Sequence, residues 1–324
     1  MSEFPQGLEA FVTRAGWGDA SIEPLPGDAS FRRYFRLRRG GATAMLMHAP
    51  PPHEDPAPFL HVARWLGANG MRAPAIHADD AGNGWVLTED FGEGRMREHL
   101  DANPGEERET YRAAIDALVQ LHRLPPGDFA PYDMATYLRE VELFTEWYCP
   151  AAGLVVDTGS FAKAWEEALA PLLPAQQPGV TVLRDYHAEN IMLPPDGTQG
   201  LIDFQDALVG HPAYDVVSLL QDARREVSAE LEADMLAHYR QAAGAGPGFD
   251  ADYARLGAQR NAKIVGIFTR LSKRDGKDRY LAMIPRVWEA MERDLAHPAL
   301  GPVARWFDAN IPQGLREAHG GTIA

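Results

Sequence analysis

Cysteine is almost missing from this chain: Cys149 is the single thiol among 324 residues. One thiol excludes an internal disulfide and any cysteine-based metal site, so the fold must stand on packing alone. Cys149 itself reads as a small, half-buried hydrophobe at a helix end. Positive charge is also in short supply. The 31 Lys and Arg against 46 Asp and Glu leave a formal net charge of −15, which opposes an extended grip on nucleic acid or an anionic membrane surface. No apolar run approaches the roughly 18 residues of a membrane span. The opening "MSEFPQGLEAFVTRAGW" lacks the basic start and apolar run of a secretory signal, so a cytoplasmic location is expected. Fixed-period repeats and low-complexity tracts are lacking. So are four familiar catalytic signatures: the GxxxxGK[ST] phosphate loop, the GxSxG elbow, the HExxH zinc helix and a GxGxxG after a strand. The "GEGR" at 92–95 stops short of a third glycine and reads as a hinge.

What is present is an ordinary globular composition, 45% hydrophobic and 24% charged, with enough length for two lobes. The first part reads as mixed α/β. An amphipathic opening segment (Leu8, Phe11, Val12) leads to the turn and strand "LPGDASFRRYFRL", a hairpin at "RRGG" and a second apolar strand, "TAMLM". A helix over 56–69 follows, with Asp55 as cap, Pro56 at its first position and Gly70 as terminator. "GWVLTED" is a further strand. Beyond about residue 94 helical periodicity dominates, through Tyr111, Ala114, Ile115 and Leu118, then Met134, Tyr137, Leu138, Val141 and Phe144, the latter capped by Asp133. The expectation is an α+β fold of two lobes, a small sheet-bearing one over 1–92 and a larger, mainly helical one over 93–324.

Within the helical part, "VLRDYHAENIMLPPDGTQGLIDFQDA" is the exception: two strand-like pieces joined by strong turn chemistry at "PPDG". It sets Asp185 and Asn190 five positions apart on one loop and Asp203 eighteen past Asp185 at the next strand end. An aspartate so placed can face a substrate hydroxyl while an asparagine on the same loop and a second aspartate hold a metal against nucleotide phosphates. Mg²⁺ suits that share, because it takes few protein carboxylates and keeps several phosphate or water oxygens. Any one of the three alone fits a turn residue bonded to nearby backbone.

"RDYHAEN" followed by "IDFQDA" resembles the catalytic loop and metal-binding segment of the aminoglycoside phosphotransferase and choline kinase family, relatives of the protein kinases. With "GDASFRRYFRL", "LMHAPP" and "GIFTRLSKRDGKDRYL", the likeness narrows to the bacterial anomeric N-acetylmuramate and N-acetylglucosamine kinases of cell-wall recycling and spans roughly residues 5 to 310. The resemblance implies a protein-kinase-like fold, ATP and Mg²⁺, and transfer of phosphate to the C1 hydroxyl of an amino sugar. By position, Asp185 matches the catalytic base, Asn190 and Asp203 the metal ligands, and Asp215 an aspartate that braces the loop. The product would pass to a sugar-1-phosphate uridylyltransferase, a metabolic link without required contact.

The chain departs from the pattern in two places. Leu183 stands where a histidine often precedes the base, and Met47 occupies the position on "TAMLM" where kinases carry a phosphate-holding lysine, with no glutamate on the helix over 56–69. The triphosphate would then fall to the metal and to backbone N–H groups of Gly27, Asp28, Ala29 and Ser30, with Arg32 or Arg33 nearby. Glu89 and Phe91 complete the expected nucleotide set. For the sugar, Arg184, His187, Glu189, Gln205, Asp206 and Arg260 are the candidates, from a cation pool that also includes Arg270, Lys273, Arg274 and Lys277. An aminoglycoside or other small-alcohol phosphotransferase, or a nucleotide-binding module without transfer activity, would share most of these features.

Overall fold

The computed structural model describes residues 4–26, 31–321 and 323. Nine strands occur among them: β1 (Ser21–Pro24), β2 (Arg33–Arg39), β3 (Ala42–His48), β4 (Ile76–Asp80), β5 (Trp85–Glu89), β6 (Val180–Val182), β7 (Ile191–Met192), β8 (Gly200–Leu201) and β9 (Leu208–Gly210). The chain divides into two compact units, Met1–His99 with Asn190–Asp206, and Leu100–Glu189 with Ala207–Ala324. Residues 190–206, which lie inside the stretch read from the sequence as one helical lobe, thus pack with the first unit. The α+β class holds.

The first unit is built on an antiparallel sheet in the order β1-β2-β3-β5-β4. Gly40 and Gly41, at φ 53 and 87, close the β2–β3 hairpin between paired Arg39 and Ala42. Both need left-handed backbone, which a two-residue hairpin turn demands and glycine supplies. The strand period of two then sorts the side chains. Phe35, Leu37, Ala44, Leu46, Trp85 and Leu87 meet Leu8, Phe11 and Val12 of the helix Leu8–Arg14 on one face. Met47 and Val86 meet Leu60 of the helix Ala57–Ala68 on the other, with Tyr34, Phe59 and Ile76 packed beside them. That helix begins at Ala57 with Pro56, not Asp55, in the cap position, and Asp55 Oδ1 accepts from the Ala57 N–H at 2.8 Å. The strands that periodicity did not reveal in this sheet, β1 "SIEP" and β4 "IHADD", are its two edges; none of their residues is buried and both carry acidic side chains, which resists pairing with other chains.

Arg36 lies on the Met47 face and is almost fully buried. It pairs with Asp90 at 2.8 Å and Glu93 at 2.6 Å and donates to the Gly92 carbonyl at 3.2 Å, tying β2 to the segment after β5. The β7–β8 hairpin joins the same unit through Leu193 N–H to Gly94 O at 2.6 Å and Leu201 N–H to Arg72 O at 2.8 Å.

The second unit is helical around the helix Phe249–Asp275, which packs against Ala213–Leu220 and Ile284–Leu295. Glycine inside a helix costs about 1 kcal/mol, and close approach explains two of them here. A Cβ at Gly257 would stand 2.3 Å from Asp294, and one at Gly266 would stand 2.4 Å from the backbone of Leu143. The periodic run from Met134 is α-helical to Val141 and becomes a π turn at Phe144–Tyr148, beside that contact. Cys149 is wholly buried rather than half-buried, and burial pushes its thiol up to about 12. No helix among the described residues is long and apolar enough to cross a membrane.

Candidate active site

In the second unit, β6 pairs with β9 and leads directly into Leu183, Arg184 and Asp185. Asp215, fully buried on the helix Ala213–Leu220, accepts the Leu183 N–H at 2.7 Å and the Arg184 N–H at 2.8 Å. Ser218 Oγ donates to the Arg184 carbonyl at 3.1 Å. Arg184 needs this support: its φ is +70, a conformation that costs a non-glycine residue of order 1–3 kcal/mol unless its surroundings impose it. Burial pushes the Asp215 carboxyl up to about 7, against the pull of the two N–H groups. Because both of its oxygens accept, Asp215→Asn would set an NH₂ group against one N–H. We expect a loss of about 1–3 kcal/mol, read as a Tm several degrees lower, together with reduced turnover from a loosened loop.

Asp185 sits partly exposed amid cations. Burial alone would raise its carboxyl, but Lys263, His187, Arg260 and Arg184 outweigh it and hold the group below the usual aspartate range. It is therefore a carboxylate at neutral pH. Arg184 forms an ion pair with buried Glu140, and Lys263 Nζ meets the same carboxylate at 3.0 Å and the Tyr214 hydroxyl at 3.3 Å. Arg260 is 3% exposed and donates to Ser218 Oγ at 2.9 Å. His187, buried, is kept neutral chiefly by desolvation and lies 3.3 Å from Arg224, which also pairs with Glu189 at 2.9 Å. Arg184 and Arg260 are thus brought around Asp185 as a charged frame, with the neutral His187 beside them. Lys263 and Glu140 belong to that frame and were missed from the sequence. For Lys263 the signal was available, since it follows Arg260 by three positions on one helix, a spacing that shares a face.

The first unit brings Asn190 and Asp203 together. Asn190 precedes β7, Asp203 follows β8, and the Ile202 N–H donates to the Asn190 carbonyl at 3.1 Å. Their side chains meet at 3.3 Å, and Gln205 Nε2 donates to the other Asp203 oxygen at 3.0 Å. Asp203 adopts φ +59, which aspartate tolerates better than most residues. One carboxylate and one amide, both at the surface, fit Mg²⁺: rotating the amide would turn the Asn190 oxygen toward the same point as the carboxylate. No group of three or more His, Cys, Asp or Glu side chains among the described residues is placed to form a protein-only metal cage. Asp206 is exposed in the same segment.

Of the expected nucleotide residues, Gly27, Asp28, Ala29 and Ser30 lie outside the described residues. Glu89 pairs with Arg72 through both oxygens, at 2.6 Å each, and accepts from the Ala75 N–H at 3.3 Å. Phe91 is buried beneath the Arg72 guanidinium, 4.6 Å from ring centre to charge, and against Gly200, where a Cβ would stand 2.5 Å from the ring. Both side chains are therefore engaged in joining β5 to the β7–β8 hairpin. Arg32 pairs with Glu54 at 3.2 Å.

A comparison with protein families matches residues 21–258 to the phosphotransferase enzyme family. An N-acetylmuramate/N-acetylglucosamine kinase of Caulobacter vibrioides is 36% identical over 97% of this chain and 99% of its own. A kinase of the same name from Pseudomonas aeruginosa is 37% identical over 94% of both. Among solved structures, a choline/ethanolamine kinase family protein from Mesorhizobium loti is similar with a TM-score of 0.64 over 94% of this chain and 97% of that one, at 16% identity. The kinase-like fold expected from the catalytic-loop pattern is thereby shown, and the chain belongs to the phosphotransferase enzyme family.

Proposed function

We propose that this protein is an ATP- and Mg²⁺-dependent kinase that phosphorylates the anomeric hydroxyl of N-acetylmuramate or N-acetylglucosamine. The observation that carries this reading is the end-to-end likeness to the Caulobacter kinase, 36% over nearly the full length of both chains. The residues are consistent with it. Phosphoryl transfer asks the protein for positioning and charge neutralisation rather than covalent chemistry. Asp185 would orient the sugar hydroxyl and accept its proton, and an anomeric hydroxyl is acidic enough for a plain carboxylate to serve. Asn190 and Asp203 would hold Mg²⁺, which when bound neutralises phosphate oxygens. Asp215 fixes the backbone of the loop that carries the base. A cytoplasmic place in cell-wall recycling, ahead of a sugar-1-phosphate uridylyltransferase, follows from the same reading.

Incubation with MgATP and a panel of amino sugars, aminoglycosides and choline tests the assignment. Loss of the reducing end of N-acetylmuramate or N-acetylglucosamine as ADP appears is the expected result. Turnover restricted to aminoglycosides or to choline would replace it.

The cations around Asp185 make a further prediction. Lys263 is the first of the charges that keep this carboxylate ionised, so Lys263→Met should raise the carboxyl toward its desolvated value. The acid limb of kcat against pH should move upward, with activity lost at a higher pH than in the native enzyme. An unmoved limb would assign Lys263 to Glu140 alone.

A further inference from the structure

Kinases with this general build hold the α and β phosphates with a strand lysine that a helix glutamate orients. Here Met47 stands on that strand, 3% exposed and packed with Ala49, Leu60 and Val86. It can offer nothing to a phosphate. The segment leading into the neighbouring strand β2 supplies a cation. Tyr34 is the register partner of Met47, and Arg36 that of Met45; Arg32 lies outside the ladder, one residue before β2 begins. Its Nε meets Glu54 Oε2 at 3.2 Å, and the other Glu54 oxygen accepts the Phe31 N–H at 3.3 Å. The two charged side chains are largely withdrawn from water, at 18% and 16% exposure.

Two observations link the surroundings of this pair to those of the candidate metal ligands. The helix Ala57–Ala68 starts three residues after Glu54, and its Phe59 stacks on Phe204 at 5.2 Å, adjacent to Asp203. Tyr34 bonds to the Arg32 side chain and lies within electrostatic reach of Asp203. We propose that Arg32, oriented by Glu54, is the cation that grips the nucleotide's α and β phosphates in this chain, replacing the strand lysine and helix glutamate from the entry to β2 and the approach to the helix. This rests on the kinase reading above. Held by Glu54 and Tyr34, the guanidinium is fixed in direction, and such a planar group suits charge-assisted contact with phosphate oxygens.

Calorimetric titration of MgADP and of adenosine tests the proposal without any sugar present. Arg32→Met should weaken MgADP binding by about 10- to 100-fold, the range for a lost charge-assisted bond, and leave adenosine binding unchanged. Arg32→Lys should recover part of the loss. Glu54→Gln should weaken MgADP selectively and by a smaller factor. If Arg32→Met binds MgADP as tightly as the native protein, or loses adenosine to the same degree, the pair only pins the loop and the proposal falls. A selective loss of MgADP in a protein that phosphorylates no amino sugar would leave this inference standing and remove the substrate assignment.

Discussion

Replacing Asp185 by asparagine is expected to lower kcat for the sugar by about 10²–10⁴-fold while leaving MgADP affinity and Tm near native. Asparagine keeps the size and one acceptor oxygen, so the sugar hydroxyl can still be oriented; it cannot take the proton. The structure explains why the damage should stay local. The cations that face Asp185 have other partners: Lys263 and Arg184 share Glu140, and Arg260 donates to Ser218. Losing the Asp185 charge therefore leaves Lys263 and Arg184 paired with Glu140 and Arg260 hydrogen-bonded to Ser218, a milder change than breaking a buried pair outright, which costs about 3–5 kcal/mol. Steady-state kinetics with N-acetylmuramate and N-acetylglucosamine, beside calorimetry with MgADP, separate the two terms. A variant within tenfold of native kcat would show that the hydroxyl is activated by another group, and the assignment of the base would have to change.

Many of the candidate residues were legible because phosphoryl transfer constrains residue type and spacing together. Asp185, Asn190 and Asp203 stand out as hard-oxygen side chains at strand ends, where a core would want apolar ones. The hairpin glycines Gly40 and Gly41 and the cap at Asp133, which accepts the Thr136 N–H at 2.8 Å, were equally readable, since each answers a local backbone demand. The less legible features depend on partners distant in sequence. Glu140 looks like any helical glutamate until Arg184, 44 positions away, and Lys263 reach it. Arg36 reads as one more arginine in "FRRYFRL", and only the fold buries it against Asp90 and Glu93. Glu89 and Phe91 were expected in the nucleotide set; the fold adds that Arg72, far from both in sequence, engages both side chains. The return of residues 190–206 to the first unit was likewise hidden, because β7 and β8 are two residues each and carry no periodicity.

Asp203→Asn should lower kcat/KM for MgATP by on the order of 10²–10³-fold and raise the Mg²⁺ concentration needed for half-maximal rate. Asparagine is the informative replacement because residue 203 holds φ +59. Alanine there would add backbone strain of roughly 1–2 kcal/mol, mixing a folding effect with a metal effect; asparagine accepts that conformation. The contacts that Asp203 makes, to the Asn190 and Gln205 side-chain amides, lie at the surface, where replacing a carboxylate oxygen by an amide costs little. Stability should therefore stay near native while the metal response shifts. That separation distinguishes a ligand from a turn residue: if the aspartate only shaped the bend after β8, the metal titration would be unaltered and any loss would track Tm. Asn190 offers the complementary check. Asn190→Asp adds a second charge opposite Asp203, so the variant should bind Mg²⁺ in the absence of nucleotide more tightly than the native protein does, because two carboxylates at this distance repel one another until a cation lies between them.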